Sequence, residues 1–171
     1  MKHRVVLLYS WLVRIVTACL PDAPCCMQLR GWCYGRLMKN CGQNFQVASN
    51  VRIVGLEFFS VGNDVYLGPG TIILASDSIR LDNEVLVGPY TVITDGNHSL
   101  RNGSYRFGKR TASPVMIEQG AWVAAHCTVL PGVTVGASTV VGANSCVSRN
   151  LPANIRAAGS PARCLSKRSA A

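Results

Sequence analysis

The chain has 171 residues, 49% of them hydrophobic and only 15% charged; that suits one folded domain with a real core and excludes disorder. Lys and Arg total 17 against 8 Asp and Glu, a formal net charge of +9, which calls for an anionic partner: nucleic acid, a phosphate-bearing cofactor or a membrane surface. Three histidines nearly exclude a multi-histidine metal cage, and the eight cysteines hold no C-x-x-C pair. They read as reduced, small core residues of a cytosolic protein rather than as a disulfide framework or a zinc site.

Val5 to Leu20 is apolar but carries Arg14, and it is too short for a bilayer, which takes about 20 apolar residues. Lys2, His3 and Arg4 before it, and Val16-Thr17-Ala18-Cys19 at its end, loosely match a lipoprotein signal; Arg14 inside the stretch weighs against that. Val5, Leu8, Leu12, Ile15 and Val16 recur at helical spacing and predict an amphipathic helix carrying Tyr9 and Trp11. Such a helix packs on the rest of the chain or on a neighbouring subunit; alternatively, residues 4–20 lie on a membrane surface. After the Leu20-Pro21-Asp22 break a second helix is expected from about Ala23 to Lys39. Residues 1–44 thus form an N-terminal helical segment, and residues 1–40 hold six Lys/Arg against one acid.

From residue 45 the pattern changes. Isoleucine or valine stands at 117, 123, 129, 135, 141 and 147, each six residues from the next. Mostly small residues follow four positions later: Ala121, Cys127, Val133, Thr139, Ser145 and Leu151. The same phase runs earlier through Val61, Leu67 and Ile73, then Leu81, Val87 and Ile93, with two extra residues at about 79–80. A period of six is neither 3.6 nor 2. Each hexad makes one short strand and one turn, and three hexads close a triangular coil with the branched residue inside. Glycine or asparagine takes the tight turn. The expectation is a mainly β chain, a parallel β-helix of hexapeptide repeats over 45–152, followed by a C-terminal segment, 153–171.

One stretch, 94–114, leaves the ladder. It is polar, contains glycine, and carries Arg101, Arg106, Lys109 and Arg110. Long excursions from a compact solenoid usually serve function. His98 is the only histidine in it, and an imidazole can take a proton from a hydroxyl or amine. Asp95 or a backbone carbonyl would hold its other nitrogen, and Asn97 would donate to a developing oxyanion. Spacing alone leaves His98 equally a plain loop histidine. His126, at an outward turn, reads as structural or a rim contact; His3, at the chain end, is set aside.

Residues 40–165 resemble the hexapeptide-repeat acetyltransferases, in the sugar O-acetyltransferase branch that includes maltose and nodulation-factor acetyltransferases. The resemblance lies in Thr94-Asp95-Gly96-Asn97-His98, Ile117-Glu118-Gln119-Gly120-Ala121-Trp122-Val123, Val129-Leu130-Pro131-Gly132-Val133-Thr134-Val135-Gly136 and Ala157-Ala158-Gly159-Ser160-Pro161-Ala162-Arg163. It implies a left-handed coil, a homotrimer with sites between subunits, and acetyl-CoA as donor. It implies His98 as general base for direct attack on the thioester, with no acyl-enzyme, so Cys127 and Cys146 are core residues. It also implies acetyl-CoA contacts at Trp122, Ala125, Ala143, Ser148, Arg149 and Arg163, the arginines suiting its phosphates. The sugar-side Asn and Asp of the maltose branch fall on Leu67 and Ala75, so no acceptor contact carries over. Ala124-Ala125-His126 replaces a glycine-rich stretch.

The function expected is acetyl-CoA-dependent O-acetylation of a sugar or surface-polysaccharide precursor, without metal or nucleic acid, in the cytoplasm or at the inner face of its membrane. N-acetylation of an amino sugar or an antibiotic would use the same base. A zinc carbonic anhydrase on this fold needs three histidines, and only His98 and His126 are available. A non-catalytic structural β-helix needs regular faces rather than a basic, histidine-bearing excursion. A nucleic-acid binder would need interleaved aromatics or a recognition motif.

Overall fold

A computed structural model describes residues 2–167. Helix α1 spans Lys2–Val16 and α2 spans Pro24–Gly35, four residues short of the expected end at Lys39. Gly31 lets α2 sit on the first coil: a Cβ there would lie 1.8 Å from the Phe45 carbonyl oxygen. From Asn40 the chain winds into a parallel β-solenoid whose three faces are sheets of five, seven and five strands.

The rungs are two to four residues long, and each inner rung pairs with the rungs above and below. On the first face Val61 pairs with Leu81, Leu81 with Ile117, and Ile117 with Val135. On the second, Val47, Leu67, Val87, Val123 and Val141 stack in turn; on the third, Ile53, Ile73, Ile93, Val129 and Val147. All are buried. The six-residue phase is therefore the inward-facing ladder of the core.

Two of the three corners are tight, and each places one residue per coil in the left-handed backbone region. At one corner these are Asn44, Asp64, Glu84, Gly120, Ser138 and Asn154; at the next, Asn50, Gly70, Tyr90, His126 and Asn144. Glycine and asparagine fill only part of that series. The remaining side chains tolerate the strained backbone because each corner hydrogen-bonds to the previous coil, as Tyr90 N–H does to Pro69 O and His126 N–H to Pro89 O.

The third corner varies. It holds a 3₁₀ turn at Leu56–Phe58, a wide turn at 75–78, the long excursion, and then a tight turn at Gly132. The two extra residues expected at 79–80 thus lie in the wide turn, since Ile79–Leu81 is already a rung. Asp95 explains why that turn can widen. Its carboxylate is fully buried and accepts the backbone N–H groups of Ser76, Asp77 and Ser78 at 2.8–2.9 Å. A buried carboxylate needs such donors, and the turn's amides need an acceptor.

The solenoid overruns both expected boundaries. Asn40–Cys41 already pairs with Ser60–Val61, so the first rung precedes residue 45. Ile155–Ala158 adds a rung beyond 152, and Arg163–Lys167 folds back antiparallel on it, covering an open sheet edge. Residues 168–171 of the expected C-terminal segment lie outside the described residues.

At the other end the helices cover the core. Val13, Ser10 and Thr17 of this N-terminal region are buried, and Val6 and Tyr9 pack beside them. The stripe read from the sequence does not pack on its own chain: Val5, Leu8, Leu12, Ile15 and Val16 are all exposed, as is Trp11. The helix is apolar nearly all round, and the Ser10 hydroxyl, donating to Ile53 O, fixes the narrower, partly polar line against the coil. Arg30 ties these parts together. Only 3% exposed, it pairs with Asp22 at 2.9 Å and donates to the carbonyls of Leu20 and Val47. Asp22 in turn accepts the Ser49 N–H and hydroxyl. Nearby, burial pushes the Tyr34 phenol up to about 12, so it stays protonated and donates to Val51 O.

Two stability predictions follow. Arg30→Ala removes a buried donor and leaves the carbonyls of Leu20 and Val47 without it; with Asp22 itself exposed and still paired to Ser49, the cost should be about 1–3 kcal/mol, read as a lower urea midpoint. Asp95→Ala should cost about 1–3 kcal/mol. In that variant the amides of 76–78 should exchange fast by NMR while the inward ladder stays protected; uniform loss of protection would show that Asp95 supports the whole coil instead.

Candidate active site

The excursion is a hairpin. Gly96–His98 pairs antiparallel with Arg110–Ala112, placing His98 opposite Arg110. Ser99 and Lys109 continue the pairing, and Gly108 is required there, because a Cβ would lie 1.5 Å from Ser99 O. Ser113 N–H returns to Asp95 O, so both ends of the hairpin are anchored at Asp95. The carboxylate expected to orient His98 is thus committed to the turn beneath it.

His98 and Asn97 are exposed. The Asn97 side-chain oxygen accepts the His98 backbone N–H at 2.8 Å, which leaves its amide NH₂ as an outward donor. His98 and Arg110 line a cleft of about 450 Å³ together with His3, Phe58, Ser76 and Thr94. Arg110 Nη2 donates to Ser76 Oγ at 3.1 Å. His3, set aside in the sequence, arrives from the start of α1 and pairs with Glu57 at 2.6 Å. No local spacing could have revealed it, since the contact joins residues far apart in the chain. Ser76 and Arg110 were likewise missed, although Arg110 was visible as one of the excursion's basic residues.

The expected acetyl-CoA contacts fall into separate groups. Ala125 and Ala143 lie on successive coils at the corner between the second and third faces, joined by the Asn144 N–H to Ala125 O hydrogen bond. Gly88, one coil back, allows the close stacking, because a Cβ on it would lie 2.6 Å from Ala125 N. His126 beside them stacks on Tyr90, ring centroids 5.2 Å apart. Trp122 is half-exposed on the second face, in register with Leu86 and Val140. Ser148 and Arg149 are exposed at the hairpin's own corner, further along the solenoid, and Arg163 is exposed on the terminal strand. Within one chain the Ala125–Ala143 corner and the His98 cleft therefore flank opposite edges of the third face.

The thiols have no part in this cleft. Cys127 is buried, donates to Gly142 O, and burial pushes its thiol up, which disfavours the nucleophilic thiolate. Cys146 is half-buried, and all eight cysteines are free. Among the described residues no group of three or more His, Cys, Asp or Glu could hold a metal ion, and no helix is long and apolar enough to cross a membrane.

No protein-family model matches the chain. The putative lipopolysaccharide biosynthesis O-acetyl transferase WbbJ of Escherichia coli K12 is 32% identical over 145 residues, covering 75% of this chain and 71% of that protein. The galactoside O-acetyltransferase of the same organism is 26% identical, covering 70% of this chain, which spans 62% of that relative's length. Among solved structures, a hexapeptide-repeat acetyltransferase from Vibrio cholerae complexed with acetyl coenzyme A superposes with TM-score 0.84 at 22% identity, covering 99% of this chain and 90% of that one. A galactoside acetyltransferase in complex with coenzyme A gives 0.87 at 21%, covering 98% and 83%. These two likenesses establish the solenoid, while the similarity to WbbJ over three-quarters of the sequence establishes descent: the chain belongs to the hexapeptide-repeat acetyltransferase family.

Proposed function

We propose that the protein is an acetyl-CoA-dependent O-acetyltransferase acting on a sugar or a surface-polysaccharide precursor, with His98 as general base. The observation that carries this reading is the anchored hairpin, which presents an exposed imidazole to a cleft of monosaccharide size. The names of the relatives support it: a putative lipopolysaccharide O-acetyl transferase and a galactoside O-acetyltransferase. The acceptor hydroxyl lies against His98, which takes its proton as the oxygen attacks the thioester carbonyl carbon. The carbon–sulfur bond breaks, and the departing thiolate recovers the proton from the imidazolium. Asn97, on the hairpin face opposite His98, does not line this cleft, so its amide has no place in the transfer step within one chain. Trp122, Ala125, Ala143, Ser148, Arg149 and Arg163 hold the donor, the arginines at its phosphates.

The same reading needs a homotrimer. The second face turns Tyr66, Leu86, Trp122 and Val140 outward between Gln46 and Arg156; the third turns out Ile72 and Val92 between Arg52 and Thr128; the first shows Asn40, Ser60, Arg80 and Met116. The exposed Leu86 and Trp122 make the second face the one that favours covering. Packing coils side by side would bring the Ala125–Ala143 corner of one chain to the His98 cleft of the next. The exposed stripe of α1, flanked by Arg4 and Arg14, suits contact with an anionic membrane on its cytoplasmic side.

His98→Ala should lower acetyl transfer about 10²–10⁴-fold while acetyl-CoA binding by calorimetry is retained; an equally active variant would remove the base assignment. Wild-type product should lose its acetyl group in mild alkali, as an ester does, and an alkali-stable amide would instead indicate nitrogen as the nucleophile. Native mass spectrometry should give a trimer. Flotation with phosphatidylglycerol vesicles should weaken in Leu8→Asp with Leu12→Asp; unchanged flotation, or none by the wild type, would dismiss the membrane contact.

A further inference from the structure

We propose that the cleft beside His98 selects an anionic sugar, one with a carboxylate or phosphate near the hydroxyl that receives the acetyl group, and that Arg110 is the selecting residue. This inference rests on the O-acetyltransferase reading and deepens its substrate class. Arg110 stands directly opposite His98 in the hairpin register, so the two side chains share one face of it. The Ser76 hydroxyl holds one guanidinium nitrogen at 3.1 Å, and the group keeps most of its five donors. No carboxylate among the described residues pairs with it.

The acids nearby are spoken for or turned away. Asp95 is consumed by the backbone of 76–78, and Glu57 is bound to His3. Asp77 is exposed and does not line the cleft. The ionisable groups in the cleft wall are therefore His3, His98 and Arg110, with no acid among them. Arg101, Arg106 and Lys109 on the same hairpin extend the positive field. A planar guanidinium fork matches carboxylate or phosphate oxygens in pairs. Phe58 and Leu74 supply an apolar wall for the C–H face of a sugar ring.

For a neutral sugar the cleft offers the Ser76 and Thr94 hydroxyls, of which Ser76 already accepts from Arg110. One position of the maltose branch's polar pair, Leu67, is a fully buried core residue, and the other, Ala75, offers the cleft only a methyl group. A neutral acceptor would leave Arg110 without a counter-charge beside the reacting hydroxyl.

The test uses the full chain, acetyl-CoA and matched acceptors: methyl glucoside, methyl glucuronide and glucose 6-phosphate. Wild-type kcat/KM should favour a charged acceptor at least about tenfold, and the carboxylate and phosphate arms reveal which anion is preferred. Arg110→Met should cut the charged-to-neutral ratio about tenfold or more, mainly through KM, and Arg110→Lys should restore part of it. A wild-type ratio near one, or equal losses on charged and neutral acceptors, would overturn the proposal. Saturation-transfer NMR of the same compounds separates the two readings. If nothing is acetylated, charged-sugar binding that Arg110→Met abolishes sustains the anion site while the transferase reading fails. No binding of either charged sugar sinks the anion site itself.

Discussion

A β-strand two residues long has no stability of its own. Every rung of this solenoid exists because the rung before it offers a hydrogen-bonding edge and an aliphatic side chain in register. Val47, Leu67, Val87, Val123 and Val141 form one such column, and a single-residue slip would turn each of them outward. Register in turn depends on the corners. Two corners repeat one left-handed residue per coil, which fixes the length of the path between rungs. The molecule can therefore vary freely at only one corner, and that is where the extra residues, the hairpin and the candidate site all gather.

At that corner Asp95 solves a local problem with a site-level consequence. A widened turn at 76–78 and an inserted hairpin at 96–112 would both leave backbone amides without partners inside the fold. One buried carboxylate satisfies the first, and its own carbonyl closes the second. The floor and one wall of the His98 cleft are thus fixed by the same residue. Its role is structural support for the geometry around the imidazole, which gives a hairpin-borne side chain the rigidity that positioning requires.

The ladder was legible because hexad spacing is a strong, local signal. The coil, its inward residues and the position of the excursion could all be read from the positions of Ile, Val and Leu. The ends were less legible. Asn40–Cys41 and Ile155–Ala158 pair as rungs without a full hexad around them, and only their neighbours define them. The face through which α1 meets its own chain was not legible for a related reason: periodicity locates an apolar stripe, but a helix with apolar residues on several sides can pack through any of them, and of the three partners open to the stripe only its own chain is excluded. The roles of His98 and the donor-side residues came from resemblance, and that of Asn97 from its amide chemistry alone. The hydrogen bonds of Asp95 and the arrival of His3 depend on contacts between distant segments, which no spacing encodes.

The first helix and the basic cleft are joined in the fold. Six aliphatic or aromatic side chains of α1 face outward at the same end of the solenoid where His3 enters the cleft wall. The His3–Glu57 pair is the contact that ties the start of α1 to this wall, whereas the hairpin side is held by Asp95 through the backbone amides of Ser76, Asp77 and Ser78. The two sides of the cleft are thus secured differently: one by a single, partly exposed pair at a helix end, where helices fray first, the other by a buried carboxylate whose donors are all backbone.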